Sequence, residues 1–221
     1  MVGAAIGGGD VVLTGGSTPK AAYAEFAEAV RIVGLDLADT TFWMGDERCV
    51  PADDPRANYR MIKESLLEPL SDLTVPCLKR IKGELGPDAG AEEYERELVA
   101  DGPPEFDLLL LGLGSDGHTA SLFPETTALD EAKASVAKNW VEKLNTWRFT
   151  FTFPTINCAK NIMFLAAGDE KAEVLRQVFE GPKNCSLLPS QCVDPQNGSL
   201  VWLIDSAAAN LLDKSVVTIH N

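Results

Sequence analysis

One histidine stands in a glycine-rich stretch whose residue types suit acid–base chemistry. His118 lies in the run LGLGSDGHTASLFP (111–124), which continues an almost wholly apolar segment. A neutral imidazole acts as general acid or base near neutral pH, and Asp116, two residues away, could orient it. A lone histidine is more often structural, yet the glycines and polar neighbours favour a catalytic role for His118 and Asp116. The sequence leaves open whether Asp116 or Asp46 is the carboxylate that orients the imidazole.

The same run contains Gly-x-Gly-x-x-Gly at positions 112, 114 and 117, the spacing of a dinucleotide-binding loop. That fingerprint should open a long helix packed on the preceding strand. Pro124 interrupts the chain seven residues after Gly117, and no strong second strand ends near Ala137 to supply a ribose-binding acid. The motif therefore does not predict an NAD site.

A second stretch, TGGSTP (14–19), could hold a phosphate group. Gly15 and Gly16 let the backbone approach a ligand closely, and a helix starting at Ser17 and Thr18 would present free N–H groups and hydroxyls. An ordinary tight turn with a capping serine explains the pattern about equally well.

A third stretch, GDER (45–48), places three charged residues directly after an apolar segment. Arg48 suits bidentate phosphate contact, and Asp46 could orient another side chain or a substrate hydroxyl. A solvated turn with a local ion pair is the alternative, and it is favoured when this stretch is considered alone.

The sequence has no motif for a serine hydrolase or for a metal site. Pro19 stands where a nucleophile elbow after Ser17 needs glycine, and no clustered metal-ligand pattern occurs. The odd number and wide spacing of the five cysteines predict reduced thiols, without a disulfide framework or a zinc site. They are Cys49, Cys77, Cys158, Cys185 and Cys192.

Composition excludes further classes. The 221 residues include 19 Lys and Arg against 33 Asp and Glu, a formal charge of −14. This acidity disfavours nucleic acid and anionic membranes as partners, so an anionic substrate would need cations gathered locally. No apolar run approaches the ~20 residues of a membrane span, and the N-terminus is a poor signal peptide. We expect a cytoplasmic protein.

Short β-rich runs alternate with helical patterns, which predicts an α/β chain with a mostly parallel sheet and helices on both faces. We expect a single domain over residues 1–221. Predicted strands span 11–14, 41–44, 106–113, 148–153, 161–166, 200–204 and 216–219. Predicted helices begin at Ser17 and span 58–67, 89–100, 170–179 and 206–212. Ligands bind such sheets at the carboxyl ends of the strands, where all three stretches are expected.

The three stretches together, in this order and spacing, resemble the glucosamine-6-phosphate isomerase/6-phosphogluconolactonase family. RFTFTFPTIN, AAGDEKAEVL and WLIDSAAANLL extend the resemblance over nearly the whole chain, and the GSDGHTASLFP run is its most specific part. The resemblance implies a modified doubly wound fold, like that of the deaminases and ribose-5-phosphate isomerase. It also implies hydrolysis of 6-phospho-D-glucono-1,5-lactone to 6-phosphogluconate in the oxidative pentose phosphate pathway, with no metal or organic cofactor.

The resemblance also assigns roles by motif. His118 would be the general base, and Gly16, Ser17 and Arg48 would form part of the phosphate site, with Arg148 and Lys171 as further contacts. Together with the interpretation of the three stretches, the candidate substrate contacts are Gly15, Gly16, Ser17, Thr18, Asp46, Arg48, Gly114, Arg148 and Lys171. Arg148 and Lys171 stand in looser motifs than the others. Family members usually have a helix and a strand ahead of the GGSTP loop, so we expect an N-terminal element to be trimmed or missing.

Two rival functions stay open. A glucosamine-6-phosphate deaminase or isomerase shares parts of both loops, but the SLFP and DER sequences favour the lactonase. A sugar-phosphate-binding regulator without catalysis would usually lose the base and have a DNA-binding domain, whereas His118 is present here. The absence of a long apolar surface stripe predicts a monomer.

Overall fold

The structure, a computed structural model, describes residues 8–73, 76–213 and 215. Within these ranges the strands are β1 (Gly9–Leu13), β2 (Thr40–Met44), β3 (Asp46–Arg48), β4 (Cys77–Lys79), β5 (Leu108–Gly112), β6 (Val136–Val141), β7 (Thr146–Phe151), β8 (Asn161–Ala166) and β9 (Ser199–Ile204). The α-helices are α1 (Ser17–Val33), α2 (Asn58–Ile62), α3 (Pro87–Leu98), α4 (Phe153–Asn157) and α5 (Ala172–Glu180).

Six strands form one parallel sheet in the order β4-β2-β1-β5-β8-β9. Strand β1 pairs with β2 on one side and with β5 on the other, so the strand order reverses between β1 and β5. In doubly wound sheets the ligand crevice opens at such a reversal, outside the carboxyl ends of the strands. The predicted α/β fold with a mainly parallel sheet is confirmed.

The two strands at this reversal are buried along both faces of the sheet. Residues 108–111 of β5 are at most 4% exposed, which explains why the segment is apolar at every position. The end of β1 is fixed by Tyr23 on α1, whose hydroxyl accepts a bond from Thr14 N and donates one to Thr14 O, each at 2.8 Å. The loops that follow β1 and β5 therefore start from a rigid base.

A second, antiparallel sheet in the order β3-β7-β6 lies beside the parallel sheet. The alternation in residues 148–153 predicts a strand, and β7 is present there, but it pairs with β3 and β6 outside the parallel sheet. Phe151 N donates to Gly45 O at 2.8 Å, which attaches the small sheet just beyond the carboxyl end of β2. Alternation identifies a strand with two different faces and does not identify its partner.

The predicted helix over 206–212 is wrong, because the chain forms consecutive turns there. Asn210 N and Leu212 N bond the carbonyls three residues earlier, and the Asp205 carboxylate accepts a bond from Ala208 N. These tight turns replace a repeating helical ladder. The predicted strand 216–219 and His220 lie outside the described residues.

The expectation of five reduced thiols is also wrong, since Cys185 and Cys192 form a disulfide. Turns in residues 184–192, including a 2.8 Å bond from Leu188 N to Asn184 O, bring their Cα atoms to 5.5 Å, within the usual bridging range. No sequence spacing signals this approach. Cys49, Cys77 and Cys158 are free. In the described part of the chain no helix has the length and apolarity needed to cross a membrane.

Candidate active site

A cleft of about 400 Å³ opens beyond the carboxyl ends of β1 and β5, where the strand order reverses. Every site residue predicted from the sequence lines it. These residues are Gly15, Gly16, Ser17, Thr18, Asp46, Arg48, Gly114, Asp116, His118, Arg148 and Lys171. The fold thus brings together stretches that are more than 150 residues apart in the chain.

The loop from β1 to α1 forms one wall of the cleft. Gly16 adopts a φ of 116°, and no side chain caps the first turn of the 17-residue helix that follows. The free N–H groups and positive end of that helix face an anion favourably. A Cβ on Gly15 would overlap the side-chain amide of Asn58, so glycine is required there for packing.

Two arginines face each other on the small sheet. Arg48 on β3 and Arg148 on β7 are directly opposite in the antiparallel register. Both Nε atoms are buried and have no hydrogen-bond partner among the described residues. Burial, assisted by the positive charge of Arg48, lowers the pKa of Arg148. Because like charges opposite each other are unfavourable, this pair is suited to an anionic ligand.

His118 pairs with Asp116 and not with Asp46. The Asp116 Oδ1 atom contacts Nδ1 of the imidazole and accepts a bond from the His118 amide at 3.3 Å. The imidazole stacks on Phe123 with ring centroids 4.0 Å apart. A Cβ on Gly114 would overlap the His118 ring, so the glycine makes room for it. The ring is thus held from three sides.

Asp46 has a different environment. It is 5% exposed, and its carboxylate accepts bonds from Ser121 Oγ at 2.8 Å and from Asn58 Nδ2 at 3.2 Å. Asp46 therefore joins the small sheet to the loop that contains His118. The solvated-turn interpretation of GDER is wrong, because the small sheet buries both acids of the motif.

Glu47 was not singled out from the sequence, although it is only 2% exposed. Its carboxylate accepts bonds at 2.7 Å from the backbone N–H groups of Arg48, Asn58 and Tyr59. Burial, partly offset by these donors and reinforced by Asp46, raises the pKa of Glu47 to about 7. Glu47 therefore fixes the start of α2. Its position at the end of a strand, among charged neighbours, was the only available signal.

Lys143 is a second residue that sequence reasoning missed. The turn between β6 and β7 places its Nζ on Asp116 Oδ2 and 4.9 Å from the Phe123 ring centroid. Burial of Asp116 favours its neutral form and so raises its pKa. The hydrogen bonds from His118 and Lys143 and the charge of His118 outweigh burial, so the pKa of Asp116 lies well below its usual range. No motif or periodicity relates positions 116 and 143.

The remaining wall contains Lys171 and Ala120. Lys171 ends a short 3₁₀ turn after β8, and Ala120 has a left-handed φ of 47°. The His118 loop is closed by bonds from Gly114 N to His118 O at 2.8 Å and from Thr119 Oγ1 to Gly112 O at 2.9 Å. Among the residues that the structure describes, no group of three or more His, Cys, Asp and Glu could hold a metal ion.

Fold and cleft define a doubly wound α/β protein with an acid–base pair at the reversal of its sheet. Residues 4–202 match the family described as "Glucosamine-6-phosphate isomerases/6-phosphogluconolactonase". The chain belongs to this family. The resemblance stated from the sequence motifs is therefore confirmed.

Individual relatives agree with this assignment. A Homo sapiens protein named 6-phosphogluconolactonase is 38% identical over 208 residues, which cover 90% of this chain and 79% of the human protein. The crystal structure of 6-phosphogluconolactonase from Leishmania guyanensis superposes with a TM-score of 0.80 at 30% identity, covering 93% of this chain and 87% of that one. A monomeric glucosamine-6-phosphate deaminase, at 22% identity and a TM-score of 0.77 over 92% and 88% of the chains, shares the fold.

Proposed function

We propose that this protein hydrolyses 6-phospho-D-glucono-1,5-lactone to 6-phosphogluconate, a reaction of the oxidative pentose phosphate pathway. The observation that supports this best is the presence of an imidazole–carboxylate pair and two facing arginines in one cleft. The imidazole–carboxylate pair suits reaction at a carbonyl carbon, and the two arginines suit binding of a phosphate. The names of its relatives point to the same substrate.

The phosphate would lie between Arg48, Arg148 and the open start of α1. The two guanidinium groups provide charge and N–H donors, and the backbone at Gly16 and Ser17 provides further donors. Binding of the phosphate there would position the lactone ring against His118. It also overcomes the repulsion that the acidic chain exerts on an anion.

His118 would act as the general base. With Nδ1–H donated to Asp116, Nε2 has a free lone pair that takes a proton from water while the water oxygen bonds to the lactone carbonyl carbon. The carbonyl oxygen becomes the tetrahedral oxyanion. When it re-forms the C=O bond, the ring C–O bond breaks, and the protonated imidazole returns its proton to the ring oxygen.

The oxyanion would be stabilised by backbone N–H groups or by a cationic side chain of the cleft. One well-placed donor typically contributes ~3 to 4 kcal/mol to the transition state. All proton transfers in this scheme use His118 and water. It needs neither a metal nor an organic cofactor.

Lactone hydrolysis measured above the spontaneous rate tests the proposal. Glucose-6-phosphate dehydrogenase would generate the lactone in place, and 6-phosphogluconate formation would be followed for wild type and His118→Ala. We expect wild type to accelerate the reaction and the variant to lose most of that acceleration. Arg31→Met is a control for a side-chain substitution outside the cleft, since Arg31 pairs with Asp72 there.

Two outcomes would contradict the proposal. A folded wild type without acceleration removes the lactonase function, and glucosamine-6-phosphate turnover would then be measured. Full activity in His118→Ala would remove His118 from its role as base.

Three wider expectations accompany this function. We propose that residues 1–221 act as one domain, that the protein is a monomer and that it works in the cytoplasm. Light scattering of the purified chain tests the oligomeric state, and fractionation of the source cells tests the location.

A further inference from the structure

We propose that Lys143 is a positioning residue for His118, acting through the carboxylate of Asp116. The inference deepens the proposed function, on which it rests for its catalytic meaning. Lys143 belongs to the turn between β6 and β7, whereas Asp116 and His118 belong to the loop after β5. Three residues from two separate elements thus form one chain of contacts.

The two oxygens of Asp116 have different partners. Oδ1 contacts the imidazole and Oδ2 contacts the Lys143 ammonium. Without Lys143, the carboxylate could rotate about its terminal bond, and its hold on the Nδ1–H tautomer would weaken. Phe123 completes the arrangement, since its ring stacks on the imidazole and lies 4.9 Å from the Lys143 Nζ.

Charge gives Lys143 a second effect on the same histidine. Asp116 alone favours the imidazolium form, which cannot accept a proton and therefore cannot serve as a base. A cation on the opposite oxygen reduces that effect. Lys143 therefore shares the negative charge of Asp116 with the imidazole, while Asp116 keeps its role in orienting the ring.

The other charged groups of the cleft do not duplicate this arrangement. The ionisable groups that line the cleft around the imidazole are Asp46, Arg48, Asp116, Lys143, Arg148 and Lys171. Of these, Asp46 bonds Ser121 and Asn58, and Arg148 lies 5.9 Å from the Phe123 ring. In the described residues, Lys143 is the cation that contacts Asp116 Oδ2.

An NMR titration of the full chain tests the proposal without any substrate. The sequence has two histidines, so His118→Gln assigns the ring resonance of His118 by its loss. We expect Lys143→Met to move the His118 titration midpoint upward by about half a pH unit or more, because a neighbouring positive charge is removed. Lys143→Arg, which keeps the charge, should restore the midpoint towards that of wild type.

Lys138→Met is a matched control on the same hairpin. Lys138 pairs with Asp88, and its Nζ lies 5.7 Å from the Trp147 ring. Lys143 has the same kind of surroundings, a carboxylate partner and an aromatic ring, but Lys138 lies outside the cleft. Both lysines are about half exposed, 43% and 52%, so neither loss should unfold the chain. We expect Lys138→Met to titrate like wild type.

The pH dependence of kcat/KM gives the catalytic readout. In Lys143→Met its acid limb should move upward by the shift seen in the NMR titration, with the loss of rate concentrated in kcat and KM nearly unchanged. A wild-type titration in Lys143→Met, or an equal shift in Lys138→Met, overturns the proposal. If wild type does not accelerate lactone hydrolysis, the proposed function fails, and the NMR titration still decides the role of Lys143.

Discussion

Arg48 and Arg148 lie directly opposite each other on neighbouring antiparallel strands, with both Nε atoms buried and without a hydrogen-bond partner in the described residues. Like charges directly opposite each other on neighbouring strands are unfavourable. The cost is offset when an anion lies between them. Relief of this repulsion would therefore add to the free energy of binding a phosphate between the two arginines.

Replacing one arginine should change ligand-linked stability. We expect inorganic phosphate to raise the melting temperature of wild type, since a ligand at a hundred times its Kd stabilises by about 2.7 kcal/mol. Arg148→Met should lose most of that gain while melting no lower than wild type without phosphate. Scanning calorimetry with and without phosphate measures both. A phosphate gain in Arg148→Met equal to that of Arg31→Met would contradict this role of the pair.

Gly114→Ala should inactivate the protein with little loss of stability. The added Cβ overlaps the imidazole, so His118 must leave its position beside Asp116. We expect a fall in kcat of roughly a hundredfold or more, in line with the contribution of a positioned general base. In Gly112→Ala the new Cβ meets only Gly15 O at 3.7 Å, an ordinary contact, and the loss should be far smaller. Comparable losses in the two variants would refute the steric explanation.

Glu47 should make stability depend on pH. Its pKa is about 7 in the folded chain against an ordinary value of 4.5, so the folded state binds more protons between these values. The contribution of Glu47 is therefore complete below pH 4.5 and is lost as pH rises through 7, by about 3 kcal/mol in total. Urea unfolding from pH 4.5 to 8 should show this slope in wild type and not in Glu47→Gln. Glu28→Gln, an exposed site on α1, should keep the slope of wild type.

The disulfide should contribute measurable stability. A bridge closing a loop this short, seven residues from Cys185 to Cys192, restricts the unfolded chain by about 2 to 3 kcal/mol. For a protein of this size that corresponds to about 5–10 °C in melting temperature. Melting curves of Cys185→Ser/Cys192→Ser measure this loss, and Cys158→Ser serves as the control. Identical curves for wild type and the double variant would show that the bridge adds nothing.

The sequence predicted the parallel sheet and the position of the cleft because local patterns determine both. A wholly apolar run such as 108–111 requires burial on two faces, and loops after such strands gather at one edge. His118, Asp116 and the GGSTP loop were found for that reason. Polar and charged residues and paired glycines are unusual directly after a buried apolar strand.

What the sequence did not predict depends on contacts between distant segments. Lys143 meets Asp116 only because β6 and β7 form a hairpin above the sheet, and Glu47 is buried only because α2 begins against it. Both look like ordinary surface charges in the chain. The pairing of β3 with β7 has the same origin, because a three-residue strand has no periodicity to detect.

The distribution of charge has a consequence for the kinetics of ligand capture. A chain of net charge −14 repels a dianion at long range, while the three cations Arg48, Arg148 and Lys171 attract it inside the cleft. Salt weakens the long-range repulsion more than the short-range attraction, because the Debye screening length is about 10 Å in 0.1 M salt and charges farther apart than this are largely screened. Modest salt should therefore accelerate association, and only higher salt should slow it. The acidic surface slows the approach of the substrate, the cations of the cleft retain it, and the ionic strength of the medium sets the balance between these two effects.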